Sequence, residues 1–195
     1  NALNDGLILA IRDMFQAMPH GVRAAVIHGS GDHFCAGLDL SELSERDAGQ
    51  GLHHSRMWHS ALEAVQYGPV PVVAALHGAV VGGGLELAST CHIRVADESA
   101  FFALPEGSRG IFVGGGGSVR IPRLIGAARM ADMMFTGRVY KAAEAERVGL
   151  TQYLVPPGAA LEKAMELAAR IAQNAPLTNY ALMHALPRIA EQPAD

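Results

Sequence analysis

The stretch Ala74-Ala75-Leu76-His77-Gly78-Ala79-Val80-Val81-Gly82-Gly83-Gly84-Leu85-Glu86-Leu87-Ala88 packs a strand end, a turn and a helix start into one short run. Val72 to Leu76 is short, apolar and rich in β-branched residues, which predicts a buried strand. His77-Gly78 reads as a turn. Three glycines then lead into Leu85 to Ser89, a helix start. A glycine-lined turn at a helix N-terminus leaves backbone N–H groups unpaired. Such groups suit an anion, or an oxygen that becomes one during a reaction. Glu86 falls in the first turn, where the helix dipole favours an acid and where chemistry can use it. The run is no P-loop, because no Gly-Lys-Ser/Thr follows. It lacks the Gly-x-Gly-x-x-Gly spacing of a dinucleotide site. By itself, a glycine-rich turn before a helix most often only permits tight packing.

Composition narrows the classes. Among 195 residues half are hydrophobic and 17% charged, which predicts one globular domain with a real core. Fifteen basic residues face nineteen acidic ones, for a net charge of −4 and no basic run. That argues against nucleic acid as partner. No apolar run approaches the ~20 residues of a membrane span. Cys35 and Cys91 are the only cysteines. They make neither a disulfide framework nor a four-cysteine zinc site, and a cytoplasmic location is expected.

Asn1 to Met18 reads as an amphipathic helix with Leu3, Leu7, Ile8, Ile11, Phe15 and Met18 on one stripe. Ala24 to His28 reads as a strand, Gly29 to Gly37 as a loop and Asp39 to Leu43 as one helical turn. Ser44 to Gly51 is polar and is the candidate mobile segment. Leu52 to Tyr67 reads as a helix with Trp58, Leu62 and Val65 inward. Short strands are expected at Ile93 to Ala96 and Phe101 to Ala103, and a glycine-rich loop at Ile111 to Gly117. Two helices divided near Gly126 fill Arg120 to Thr136. Ala142 to Val148 is a helix closed by Gly149, and Gln152 to Val155 a strand. Pro157 to Gln173 is an amphipathic helix carrying Leu161, Met165, Ala168 and Ile171, with Glu166 and Arg170 paired at i,i+4. Pro176 opens a last helix through Leu186. Alternating strands and helices predict a layered α/β fold.

Two more loops carry chemistry. His33 to Leu40 follows one strand, and Ala103 to Gly110 follows another. The three stretches together offer two carboxylates, Glu86 and Glu106, and two small-residue turns with exposed N–H groups. The pattern Phe34-Cys35-Ala36-Gly37-x-Asp39-Leu40, then Gly82-Gly83-Gly84-x-Glu86-Leu87-Ala88, then Pro105-Glu106 resembles the crotonase family, the enoyl-CoA hydratases and isomerases. Nearly the whole chain is covered, without gaps through Gly117.

The resemblance implies a crotonase-like stacked ββα superhelix: a core domain over 1–140 and a C-terminal helical region over 141–195, expected to be truncated. It implies an acyl-CoA thioester as ligand, a homotrimer or dimer of trimers, and no metal or redox cofactor. The family's oxyanion hole maps to the backbone N–H groups of Ala36 and Gly83. Gly37, Asp39, Leu40 and Gly82 map to the substrate-binding turns. Glu86 maps to the residue that orients and deprotonates water, and Glu106 to the one that delivers a proton to C2. The activity implied is hydration of a 2-enoyl-CoA. The alternatives are an isomerase, a C–C lyase or a hydrolase of the same family, and a non-catalytic CoA-binding scaffold.

Some positions depart from the family pattern. Arg109 stands where an aliphatic residue near the acyl pocket is expected. There it either meets a polar or carboxylated acyl group, pairs with Glu106, or lies on the rim. Val113 and His92 read as structural variation, Cys35 as a packing residue, and His53, His54 and His59 as a surface helix rather than metal ligands. The loop Gly114 to Gly117 is assigned no phosphate.

Overall fold

The computed structural model describes residues 1–39, 41 and 47–190. The strand predicted from Val-Val-Ala-Ala-Leu is the middle of the molecule. With α1 at Asp5–Gln16, β1 at Ala25–His28 and α2 at Ala48–Gln66, it is β2 (Val72–Leu76). All five of its residues are buried. Val72, Ala74 and Leu76 join the main core, while Val73 and Ala75 join a second one on the opposite face. A strand covered on both faces needs no polar alternation, which is why its sequence is a continuous apolar run.

Beyond the turn at Gly78 the chain forms β3 (Ala79–Val81) and α3 (Gly83–Thr90). The next turn of the fold repeats this with β4 (Ile93–Asp97), β5 (Phe101–Ala103) and a 3₁₀ helix over Pro105–Arg109. Each repeat sends one strand to each of two sheets. β2 pairs with β4 in parallel, Val73 opposite Ile93, and β3 pairs with β5 in parallel, Ala79 opposite Phe101. The rest of the chain gives α4 (Gly117–Ile125), α5 (Ala127–Thr136), β6 (Tyr140–Lys141), α6 (Ala142–Val148), β7 (Tyr153–Val155), α7 (Ala160–Ile171), α8 (Pro176–His184) and α9 (Leu186–Ile189). The sheets run β1-β2-β4-β7, all parallel, and β3-β5-β6. The expected stack of strand–strand–helix turns is what forms. The boundary expected at 140/141 falls inside β6.

Where the chain departs from the sequence reading, long-range contacts decide. The first helix begins at Asp5, because Asn4 caps it by accepting from Leu7 N–H at 2.8 Å. That releases residues 1–3 as extended chain, and Leu3 forms a parallel bridge with Leu38. Leu7, expected inward, is exposed, while Ile8 and Phe15 are buried. α2 starts at Ala48, earlier than expected, under a reciprocal Asp47–Gln50 capping box. Residues 47–51, expected to be mobile, are therefore a capped helix start; 44–46 lie outside the described residues, as does most of the turn expected at 39–43. On α7, Leu161 and Met165 face outward, and Ala160, Ala164, Leu167 and Ala168 meet β2. Small side chains let a helix settle close against a flat sheet, which hydropathy alone does not reveal. The Glu166–Arg170 pair forms, at 3.2 Å.

Candidate active site

The N-terminus of α3 carries the glycine triplet. Gly82 has φ +54°, and a Cβ there would stand 2.8 Å from Glu106 Oε1, so the position admits only glycine. Gly82 N–H donates to Ala103 O at 2.9 Å, and Gly83 opens the helix with no intrahelical acceptor for its own N–H.

The loop 35–39 runs beside it, and its amides are almost all committed. Cys35 N–H donates to Ala79 O at 2.9 Å, Ala36 N–H to Asn1 O at 2.9 Å and Asp39 N–H to Leu3 O at 2.8 Å. Gly37 N–H points to Cys35 Sγ at 3.4 Å. Among the described residues only Leu38 N–H in this run has no acceptor. It faces the triplet: a Cβ on Gly83 would lie 3.6 Å from Leu38 N, and one on Gly37 would lie 3.5 Å from Gly83 N. This corrects the expectation for Ala36, whose amide is held in a backbone bond to the extended N-terminal segment. The free pair is Leu38 and Gly83. Two adjacent unpaired amides can take one oxygen as it gains negative charge.

Both carboxylates converge on the same cavity, of about 190 Å³, which Leu38, Gly83, Glu86, Glu106 and Arg109 all line. Glu86 is 3% exposed, and its Oε1 accepts Gly115 N–H and Gly117 N–H, each at 2.8 Å. A Cβ on Gly117 would lie 2.7 Å from Glu86 Cγ, so this close backbone approach needs glycine. Burial raises the Glu86 pKa, and the two amides and the Arg120 guanidinium pull the other way. Arg120, itself buried, donates from Nε to Gln66 Oε1 at 2.5 Å and from Nη1 to Gly115 O at 2.8 Å. It thereby braces the loop whose amides hold Glu86.

Glu106 sits in the first turn of the 3₁₀ helix, 6% exposed, and its Oε2 is buried without a partner among the described residues. Burial pushes its pKa up to about 6; the charge of Glu86 adds to this, while its own amide and Arg109 oppose it. Two carboxyls therefore share one cavity with unlike support, one clamped by amides and one with a bare oxygen. That is the arrangement in which environment can separate a base from an acid.

The remaining candidates separate. Gly37 and Gly82 line the cavity. Asp39 is drawn away: its Oδ1 accepts from Ser41 Oγ at 2.7 Å and Ser41 N–H at 3.0 Å, bonds that hold its pKa below the usual range. Leu40 lies outside the described residues. Arg109 is exposed and lines the cavity, as the rim alternative expects, and makes no ion pair with Glu106 within 4 Å among the described residues. Cys35 and Val113 are buried in the core, and His92 is locked between Val72 N–H and Gln66 O. Of the three histidines read as surface, His54 instead lines the cavity and meets Asp5 Oδ1 at 2.8 Å. No group of three His, Cys, Asp or Glu that could hold a metal occurs among the described residues. No helix of those residues is long and apolar enough to cross a membrane. Sequence reasoning missed Leu38, the Gly115 and Gly117 amides and Arg120. The glycine run at 114–117 was visible, but its target was not.

Known proteins share this arrangement of the chain. A solved structure from Rhodopseudomonas palustris CGA009, assigned as an enoyl-CoA hydratase, is 65% identical, with TM-score 0.97 over 99% of this chain and 75% of that one. The enoyl-CoA hydratase of Bacillus anthracis is 34% identical, with TM-score 0.90 over 98% of this chain and 76% of that one. The fold is therefore the crotonase fold. Among curated proteins, the 2,3-dehydroadipyl-CoA hydratase of Escherichia coli K12 is 34% identical over 195 residues, 98% of this chain and 75% of that protein. An enoyl-CoA hydratase of Mycobacterium tuberculosis is 36% identical over 168 residues, 85% of this chain and 63% of that one. The chain spans 63% to 69% of the length of the first three curated relatives it matches. The sequence pattern of the enoyl-CoA hydratase/isomerase family matches residues 1–194, and the chain belongs to that family.

Proposed function

We propose that this chain adds water across the 2,3-double bond of a 2-enoyl-CoA. The thioester oxygen sits between Leu38 N–H and Gly83 N–H. Glu86 takes a proton from a water, whose oxygen forms the new bond to C3. The double-bond electrons move toward the thioester, and the oxyanion of the resulting enolate is met by the two amides. The enolate collapses as C2 takes the proton of Glu106, which leaves a 3-hydroxyacyl-CoA. The proton gained by Glu86 restores Glu106 through solvent. Backbone dipoles polarise the thioester, so the reading calls for no metal or redox cofactor.

The observation that carries this reading is the pair of carboxyls: Glu86 clamped at Oε1 by two amides, and Glu106 with Oε2 buried and unpartnered in the same cavity. Moving a double bond along the chain needs a proton taken and returned. Adding water needs, in addition, that one carboxyl hold a nucleophile while the other holds a proton. Exposed Leu177, Leu182 and Ile189 on α8 and α9 suit the trimer or dimer of trimers expected for the assembly.

The amide assignment has a direct test. Replacing the Leu38 backbone N–H by an ester oxygen, through an α-hydroxy acid at that position, lowers kcat on crotonyl-CoA about 10²–10³-fold, the effect of one lost oxyanion donor. The same exchange at Ala36 removes a structural bond and costs stability of about 1 kcal/mol, with little change in kcat. A kcat loss at Ala36 and none at Leu38 would reverse the assignment.

A further inference from the structure

The cavity lining includes a polar set that hydration does not use. His54, Ser55 and Arg109 line the cavity together with Trp58 and Phe112. Arg109 is three residues beyond Glu106 on the 3₁₀ helix, and side chains at i and i+3 of such a helix eclipse. The guanidinium therefore rises on the same side as the Glu106 carboxyl. Its charge is felt there, since it lowers the Glu106 pKa against the effect of burial. Yet among the described residues it makes no hydrogen bond and no ion pair. Arg109 is exposed, so its guanidinium faces solvent at the cavity and can exchange water for an anion.

From α2, His54 and Ser55 line the same cavity. His54 is not a free rotor. Its Nε2 donates to Asp5 Oδ1 at 2.8 Å, and the same oxygen accepts from Trp58 Nε1 at 3.1 Å. One carboxylate from α1 thus fixes both the ring that is polar and the ring that is apolar. With the Nε2 proton given to Asp5, Nδ1 of the neutral ring is an acceptor and offers an anion no hydrogen bond. Ser55 Oγ donates to Gly114 O at 3.3 Å, which ties α2 to the loop that holds Glu86.

Trp58 and Phe112 suit a hydrocarbon stretch of the acyl chain, but Arg109 gains nothing from a hydrocarbon end. Closing it over Arg109 would strip water from a charge and return no hydrogen bond. We propose that the acyl group carries a carboxylate at the end away from the thioester, with Arg109 as its anchor. The proposal rests on the acyl-CoA reading above and names the class of acyl group: a dicarboxylic 2-enoyl-CoA. The phosphates of coenzyme A offer the same anionic chemistry to Arg109, and the test must separate the two sources.

Adipyl-CoA and hexanoyl-CoA do so, because they share every phosphate and differ at the acyl end. Their Kd values are measured by titration calorimetry on the wild type and Arg109→Met. The wild type binds adipyl-CoA about 10- to 100-fold more tightly, the worth of a charge-assisted bond to a carboxylate. Arg109→Met abolishes that ratio. Equal Kd values in the wild type overturn the proposal. So does an Arg109→Met variant that weakens both ligands alike, which would assign the guanidinium to phosphate. Turnover of 2,3-dehydroadipyl-CoA and 2-hexenoyl-CoA is followed in parallel. Binding preference without hydration of either ligand sinks the hydratase reading and leaves the carboxylate site standing.

Discussion

Glu106→Gln loses most of its turnover and, at pH 7, becomes the more stable protein. The two effects share one cause. The Glu106 carboxyl is buried with Oε2 unpartnered, and burial lifts its pKa from the ordinary 4.5 to about 6. Below the unfolded value, both the folded and the unfolded chain hold the proton, and the group costs the fold nothing as a charge. As pH rises from about 4.5 to about 6, the unfolded chain releases its proton first, so stability falls through that window. Above it the full cost remains, about 1–2 kcal/mol once the cavity's access to solvent is allowed for. Glutamine carries no charge at any pH. Its advantage over the wild type therefore grows from near zero at pH 4 to the full amount at pH 7, and denaturant melts at the two values read it directly. Glutamine also has no acidic proton for C2, so kcat/KM on crotonyl-CoA drops about 10²–10⁴-fold. In the wild type kcat/KM falls as pH rises through about 6, where the free protein loses the proton of Glu106, and this limb is missing from the variant. A variant that is less stable at pH 7, or that retains the limb, contradicts the role given to Glu106.

Glu86→Gln fails in a different way. Its Oε1 still accepts the Gly115 and Gly117 amides, so the loop, and Arg120 behind it, keep their places. What is gone is a group able to take the proton of water. The expected result is a kcat lower by about 10²–10⁴ with KM little changed and a melting temperature near that of the wild type. Glu86→Ala provides the contrast. It strands two buried N–H groups, at about 1–3 kcal/mol each, and lowers stability as well as rate. If Gln and Ala behave alike in rate and stability, Glu86 is a structural clamp for the glycine loop and not a base.

The part of this site that was legible in the sequence is the part that short-range chemistry writes. The apolar run before His77 announced a buried strand. The acid in the first turn after three glycines announced Glu86, and Pro105-Glu106 its companion. What could not be read depends on where distant segments meet. Whether Ala36 or Leu38 keeps a free amide is decided by the bridge between Leu3 and Leu38 and by Asn1 O, both from residues that looked helical. β3, only three residues long, hides between a turn and a glycine triplet, and its strand character comes from Cys35 and β5 on either side. His54 read as one of several surface histidines because nothing in its neighbourhood points to Asp5, 49 positions earlier.

The most direct measurement is isotopic. Crotonyl-CoA is incubated with the protein in deuterium oxide enriched in oxygen-18, and the product is analysed by mass spectrometry and NMR. The account predicts a 3-hydroxyacyl-CoA with oxygen-18 at C3 and deuterium at C2. Recovery of an enoyl-CoA whose double bond has moved, with deuterium exchanged and no oxygen gained, would contradict it.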